Sequence, residues 1–432
     1  MDPLMQKTFT TSRSLTYSYY ISPPPPSPPS QNASAPPPLL LLHGFPDGPL
    51  LWRPLLPYLL SLPHRLIIPS LLGYHPTSTP RDPTAYNSKS MSDDLAELLT
   101  AEDAPTAIAI GHDWGSFLAN RLYLWHPERV AGLALLNLAY MPPNQTTPFD
   151  LDQTNALMEQ LFGHPILAYW ELLTRATGDV PALLEGNAAR LWELLHAARP
   201  QPEWMRKLLC ERGATEAFLT AGTVDGEAVA GDIKLRDYAG HDGVYWEDFV
   251  RRLTDREAGG IAPALCWYRA MSENATFEVE RTLEKEALVL KVPTLFVACP
   301  DDAVCRAELI EAPKQEGMLP DLTVVEVGGC GHWGIIYEKA EETAGVIGGF
   351  LKERLRFLAP WLNMSPLFNH CMETGVIARI SYKIAARGYK GIMTRPTNIS
   401  VGHNLKFEIC SKRSVGVPTT SYMSVRHMNP ST

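Results

Sequence analysis

Six short apolar runs recur along the chain: Leu39–His43, Arg65–Pro69, Thr106–Ile110, Val130–Leu136, Thr294–Ala298 and Leu322–Val327. Each lacks a clear apolar–polar alternation and is bounded by turn residues. Such runs predict strands of a parallel sheet covered on both faces. Between several of them the spacing becomes helical, as in Met91–Leu99 and Ser116–Trp125. That succession implies an α/β fold with a mostly parallel sheet flanked by helices. From about Met141 to Leu290 no good strand pattern appears, and Ala188–Ala198 is amphipathic at helical spacing. A helical cap inserted into the α/β core is the expected architecture.

The two ends differ from the middle. Thr8–Ile21 alternates loosely and favours strand formers, predicting a hairpin. Ser22–Pro38 is rich in proline and polar residues, which predicts a stiff surface loop that cannot join a sheet. The division expected is 1–38 for N-terminal strands and loop, 39–140 for the first half of the core, 141–290 for the cap, 291–358 for the second half and 359–432 for a tail. From Trp361 onward nine Lys/Arg stand against two Asp/Glu, without clear periodicity. This basic tail reads as poorly ordered.

Charge and cysteine content narrow the function. The 432 residues carry a formal charge of −9, which argues against a general binder of nucleic acid or of anionic membrane surfaces. No stretch approaches the ~20 apolar residues of a membrane span, and no basic-then-apolar signal opens the chain. A soluble, cytoplasmic protein is expected. The seven cysteines are scattered singly, at positions 210, 266, 299, 305, 330, 371 and 410, so free thiols are expected. No zinc-type ligand spacing is present, and neither a metal nor a cofactor is expected. The oligomeric state is left open.

The sharpest local signal is Gly111-His112-Asp113-Trp114-Gly115, where an apolar run ends and a helical pattern begins. Small residues flanking a central one on a strand-to-helix turn are what a nucleophile elbow requires. Asp113 at that place is either the nucleophile or an ordinary helix N-cap. Downstream, Cys299-Pro300-Asp301-Asp302 follows one apolar run, and Gly331-His332-Trp333 follows another after a Gly-Gly-Cys turn. The latter reads as a loop histidine at a strand's C-terminal edge. Sites in open α/β sheets lie beyond those edges, and nucleophile, acid, histidine is the chain order of α/β-hydrolases. His43-Gly44-Phe45-Pro46 follows the first core run. There the N–H of Phe45 can face that of Trp114 to form an oxyanion hole.

HGFPD, GHDWG and GCGHW, with an aspartate about thirty residues before the histidine, resemble the α/β-hydrolase-fold epoxide hydrolases. The resemblance runs from about Leu39 to Leu358 and includes a stretch similar to the family's GYG-to-DL segment, with His75 where the family has a small residue. It implies Asp113 as nucleophile, His332 as base and Asp302 as the acid, with Asp301 the alternative. It also implies two lid tyrosines, matched by Tyr169 in HPILAYW and Tyr268 in CWYR. The small-molecule partner it implies is an epoxide.

The nucleophile limits the reaction on chemical grounds as well. A carboxylate attacking a carbonyl gives a mixed anhydride, a poor route to hydrolysis. Attacking a saturated carbon, it gives an alkyl ester, an ordinary covalent intermediate. An epoxide or an alkyl halide is therefore the expected substrate. An opening epoxide needs a proton donor, which tyrosine supplies at a pKa of ~10. A halide is better served by indole N–H groups, so the lid tryptophans Trp170, Trp204, Trp246 and Trp267 leave dehalogenation as the alternative. A non-catalytic ligand-binding protein on the same fold is the third reading.

Overall fold

The computed structural model describes residues 1–24, 35–200, 202–229 and 232–355, together with two short strands farther on. Its centre is a sheet of eight strands: β1 (Met5–Thr10), β2 (Thr16–Ile21), β3 (Leu39–Leu42), β4 (Leu66–Pro69), β5 (Ala107–His112), β6 (Val130–Leu136), β9 (Thr294–Ala298) and β10 (Leu322–Glu326). Between β6 and β9 a two-residue pair, β7 (Thr223–Val224) and β8 (Glu227–Ala228), is the small exception to an otherwise helical segment. The order across the sheet is β1-β2-β4-β3-β5-β6-β9-β10. The β1–β2 hairpin and the β2–β4 contact are antiparallel, and every other neighbour is parallel.

The apolar runs become strands because both faces are covered. Every residue of β3, β4, β5 and β9 is buried. β10 departs from the expectation of a strand covered on both faces. As the edge strand it is half exposed, with Val324 at 41%. Its valines report strand propensity rather than burial. The apolar run of β5 also continues two residues past the expected end, through Gly111 and His112, so the strand runs to the brink of the elbow.

The helix Ser88–Ala101 contains the expected Met91–Leu99 and starts at Asn87, whose side chain accepts the Ser90 N–H. Trp114–Trp125 packs under β5 and β6 with nearly all its residues buried. The segment between β6 and β9 folds as helices, including Leu151–Phe162, Ala188–His196, Val244–Thr254 and Ala262–Ser272, and forms the cap. Tryptophans tie the cap together and to the core. Trp192 Nε1 donates to Ala239 O, and Trp267 Nε1 reaches Leu72 O in the core at 2.9 Å. Among the described residues no helix is long and apolar enough to cross a membrane.

Positions 25–34 of the proline-rich segment and nearly all of the basic tail lie outside the described residues. Within the tail the described Ile399–Ser400 pairs antiparallel with Lys406–Phe407.

Candidate active site

The strands bring the candidate residues together at their C-terminal ends. Asp113 follows β5 with φ 55° and ψ −125°, a conformation side chains rarely adopt. Holding it costs on the order of 1–3 kcal/mol, and the neighbours show what enforces it. A Cβ on Gly111 would fall 2.1 Å from Gly115 O, and one on Gly115 would fall 1.9 Å from Leu42 O. The turn closes only because both flanking positions are glycine. Asp113 precedes the helix but makes no side-chain cap to it. Its Oδ1 instead accepts the Phe45 N–H at 2.9 Å, and the Trp114 N–H adds to the pull that stabilises the charged carboxylate.

The histidine and its acid form a second group. His332 Nδ1 donates to Asp302 Oδ2 at 2.6 Å, while Nε2 faces Asp113 Oδ2 at 3.9 Å. His332 lies in the first turn of the helix Gly331–Tyr337 rather than in a loop; Gly331, at φ 77°, makes the turn that starts it. Asp302 is buried, and both of its oxygens are committed. Oδ1 accepts the Val304 and Cys305 N–H groups at 2.9 Å each, and Oδ2 takes His332 and the Asn137 amide, the latter at 2.9 Å. Asp301 turns the other way, its Oδ2 accepting the Gly329 N–H at 2.5 Å. It braces the histidine's loop and does not contact the imidazole.

Burial raises the Asp113 carboxyl above its usual range, against the opposing pull of His332 and the Phe45 and Trp114 N–H groups. For Asp302 burial acts upward too, but the His332 charge and hydrogen bond outweigh it and hold the acid well below the usual carboxylate range. Burial would lower His332; Asp302, then Asp113 and Asp47, outweigh it and lift the imidazole to about 9. The resting His332 is therefore an imidazolium facing Asp302 and Asp113.

The lid tyrosines face the same space. Tyr169 and Tyr268 lie edge to face, with ring centroids 6.1 Å apart. Both line a pocket with Asp113, His332 and Phe45, and its cap-side wall is built largely from leucines. Burial, and after it the Asp113 charge, hold the Tyr169 hydroxyl well above 10; burial, Tyr169 and Asp113 do the same for Tyr268. Both phenols stay protonated and can donate. None of Trp170, Trp204, Trp246 and Trp267 lines this cavity. Trp204 and Trp267 spend their indole N–H groups on the carbonyls of Leu194 and Leu72.

Other residues of the motifs support the loops. His43 Nε2 accepts the Leu71 N–H at 3.0 Å, so its Nδ1 carries the proton donated to Gly44 O. Burial lowers His43 to about 3, and it remains neutral. Pro46 follows Phe45 and presents its carbonyl to Arg252 of the cap. Asp302, Cys305 and His332 bring possible metal-ligand atoms within 4.8 Å of one another. The Asp302 oxygens and His332 Nδ1 are already engaged, a donor set fitting a hydrogen-bonded pair and not a metal centre.

Four neighbours escaped the reading of the sequence. Asn137, at φ 64°, also reaches His332 O at 3.2 Å. His112 Nε2 bonds that same carbonyl at 3.0 Å. Asp47 is buried and accepts the Trp333 indole at 2.8 Å, and burial raises it to about 6. Cys305 caps Asp302 through its N–H. Asp47 and His112 sit inside HGFPD and GHDWG, where a second polar residue was the available signal. Asn137 follows β6 with nothing in the neighbouring sequence to mark it.

A family model described as alpha/beta hydrolase fold matches residues 37–339. Epoxide hydrolase srdG of Neurospora crassa is 31% identical over 359 residues, 82% of this chain and 97% of that protein. The chain belongs to the epoxide hydrolases of the alpha/beta hydrolase fold. Epoxide hydrolase A of Mycobacterium tuberculosis is 26% identical, over 71% of this chain and 87% of its own. The crystal structure of epoxide hydrolase A from Mycobacterium thermoresistibile superposes with a TM-score of 0.61 at 22% identity, covering 81% of this chain and 98% of that one. At that identity the likeness speaks for the fold.

Proposed function

We propose that this protein hydrolyses an epoxide to a vicinal diol in two steps, through an ester on Asp113. One observation carries the reading: the Asp113 carboxylate, held by the Phe45 N–H and uncapped toward its helix, shares one pocket with two protonated tyrosines and with His332. In the first step an Asp113 oxygen attacks an epoxide carbon as the C–O bond breaks. Tyr169 and Tyr268 hydrogen-bond the ring oxygen, and one of them gives it a proton as alkoxide character develops.

Forming the ester removes the Asp113 negative charge. That charge is one of those raising His332, so esterification lowers the imidazole's pKa at the point where a base is needed. His332 passes its proton, directly or through solvent, to the phenolate left by ring opening; now neutral and oriented by Asp302, it takes a proton from water, which attacks the ester carbonyl. The tetrahedral oxyanion sits on the Phe45 and Trp114 N–H groups, which already face that carboxylate. As the intermediate collapses, the departing alkoxide takes the hydroxyl proton that came with the water, so the diol leaves, Asp113 is again a carboxylate and His332 keeps the proton of its resting state.

The substrate is a neutral small molecule whose epoxide carries apolar substituents, since the cap-side wall is aliphatic. The thiols of Cys210, Cys266, Cys299, Cys305 and Cys330 are free and buried; Cys299 and Cys330 share a thiol hydrogen bond at 3.6 Å and form no disulfide. This supports a reducing, cytoplasmic location. The test is diol formation from a generic epoxide such as styrene oxide, run beside halide release from a haloalkane. Diol without halide is expected, and Asp113→Ala should abolish it while remaining folded. Halide release without diol, or a folded Asp113→Ala protein with normal turnover, would contradict the proposal.

A further inference from the structure

The loop that supplies the Phe45 N–H is held from above by the cap. Arg252, on the cap helix Val244–Thr254, has a side chain only 10% exposed. Its Nε donates to Asp248 Oδ2 at 2.8 Å, one turn earlier, and its Nη1 donates to Pro46 O in the core. The guanidinium also lies against Gly48, where a Cβ would meet Nε at 3.1 Å and Cδ at 3.3 Å. A buried arginine spending a donor on a core carbonyl is costly to misplace, because its charge has been removed from water.

Three consecutive residues of this loop are tied to the site or to the cap. Phe45 N–H holds Asp113 Oδ1, Pro46 O holds Arg252, and Asp47 holds the Trp333 indole beside His332. The carbonyl gripped by Arg252 lies one residue beyond Phe45, close enough for its position to set the direction of that N–H. We infer that Arg252 is a positioning residue through which the seated cap aims the Phe45 N–H at the Asp113 carbonyl. The inference rests on the two-step reading above.

The oxyanion exists only while the ester is being hydrolysed, so a misaimed donor penalises the second step more than the first. Asp248 holds the guanidinium in register. Lysine keeps the charge but cannot bond Asp248 and Pro46 with the same planar fork.

The experiment compares wild type, Arg252→Met, Arg252→Lys and Arg236→Met. The last removes a different cap–core ion pair, Arg236 to Glu338 at 2.5 Å, and controls for general loosening of the cap. Rapid quench with styrene oxide and intact-protein mass spectrometry give the rates of ester formation and loss. Arg252→Met should slow ester loss about tenfold or more and leave its formation within about threefold, so that the ester accumulates. Arg252→Lys should fall between, and Arg236→Met should keep the wild-type ratio of the two rates.

Hydrogen exchange over residues 44–48 of the resting enzyme gives a reading independent of the reaction, and it should speed up in Arg252→Met but not in Arg236→Met. If wild type forms no ester, the two-step reading is what fails, and exchange at 44–48 alone decides on Arg252. Unchanged exchange there overturns the inference. So does an equal fall in both rates, or the same ratio change in Arg236→Met.

Discussion

Gly44 and Asp113 leave no room for a side chain between them: a Cβ at position 44 would lie 2.4 Å from Asp113 Oδ1 and 2.5 Å from its Cβ. The close approach puts the Phe45 N–H on the carboxylate, so in the proposed mechanism the glycine serves the chemistry as much as the turn. Gly44→Ala must push the loop or the carboxylate aside. Losing an oxyanion donor costs about 10²–10³ in rate. A folded Gly44→Ala protein with turnover reduced to that extent is expected, measured as diol formation beside its circular dichroism. Turnover near that of wild type would mean that Phe45 does not serve the reaction.

Asn137 joins the acid to the base. Its amide donates to Asp302 Oδ2 at 2.9 Å and to His332 O at 3.2 Å. Its φ of 64° suits asparagine or glycine, so Asn137→Gly removes the amide while sparing the backbone. A hydrogen bond to a charged group contributes about 1.5–3 kcal/mol. Asn137→Gly should lose about that much stability in chemical denaturation, with ester hydrolysis slowed about tenfold or more. Unaltered stability and rate would reduce Asn137 to a bystander.

The tyrosines should act as a pair. With Tyr169→Phe or Tyr268→Phe alone, the remaining phenol still polarises the epoxide oxygen, and ring opening slows. The double Phe variant should be nearly inactive, in stopped-flow measurements of ester formation. A double variant that alkylates at the wild-type rate would leave both residues with packing roles and favour a leaving group that needs no proton.

His332 offers a pH test with a definite sign. Asp302 and Asp113 lift its imidazole from 6.5 to about 9. Replacing Asp113 by Asn removes one of those charges, as esterification does, so the His332 titration must move down. NMR of the imidazole nitrogens in wild type and Asp113→Asn should show this. In wild type the raised value also links to stability: the contribution is complete below about pH 6.5 and lost as pH rises through 9. An upward shift in Asp113→Asn would contradict the proposed switching of His332 from cation to base.

How far the site could be read from sequence follows from where its parts lie. Asp113, Asp302 and His332 each follow an apolar strand, so short local patterns place them at one edge of the sheet. The resemblance puts Asp302 in the acid's place with Asp301 as the alternative; the structure turns Asp301 toward Gly329 and Asp302 toward His332, an orientation no local pattern contains. Asn137 lies 165 positions from Asp302, and Arg252 lies 206 from Pro46. Nothing local in a strand end or an amphipathic cap helix announces such partners. The exposure of β10 escaped for the same reason, since an edge strand is defined by neighbours it lacks.

The most direct test of the covalent mechanism is a single turnover of excess wild-type enzyme in H₂¹⁸O, followed by peptide mass spectrometry. If water attacks the ester carbonyl of Asp113, label enters the Asp113 carboxylate and the first diol carries none. His332→Gln should then stop after the first step and accumulate as an enzyme heavier by one substrate, on the peptide containing Asp113. Label appearing in the first diol, with Asp113 unlabelled and His332→Gln unmodified, would show that water attacks the epoxide itself and that no ester forms.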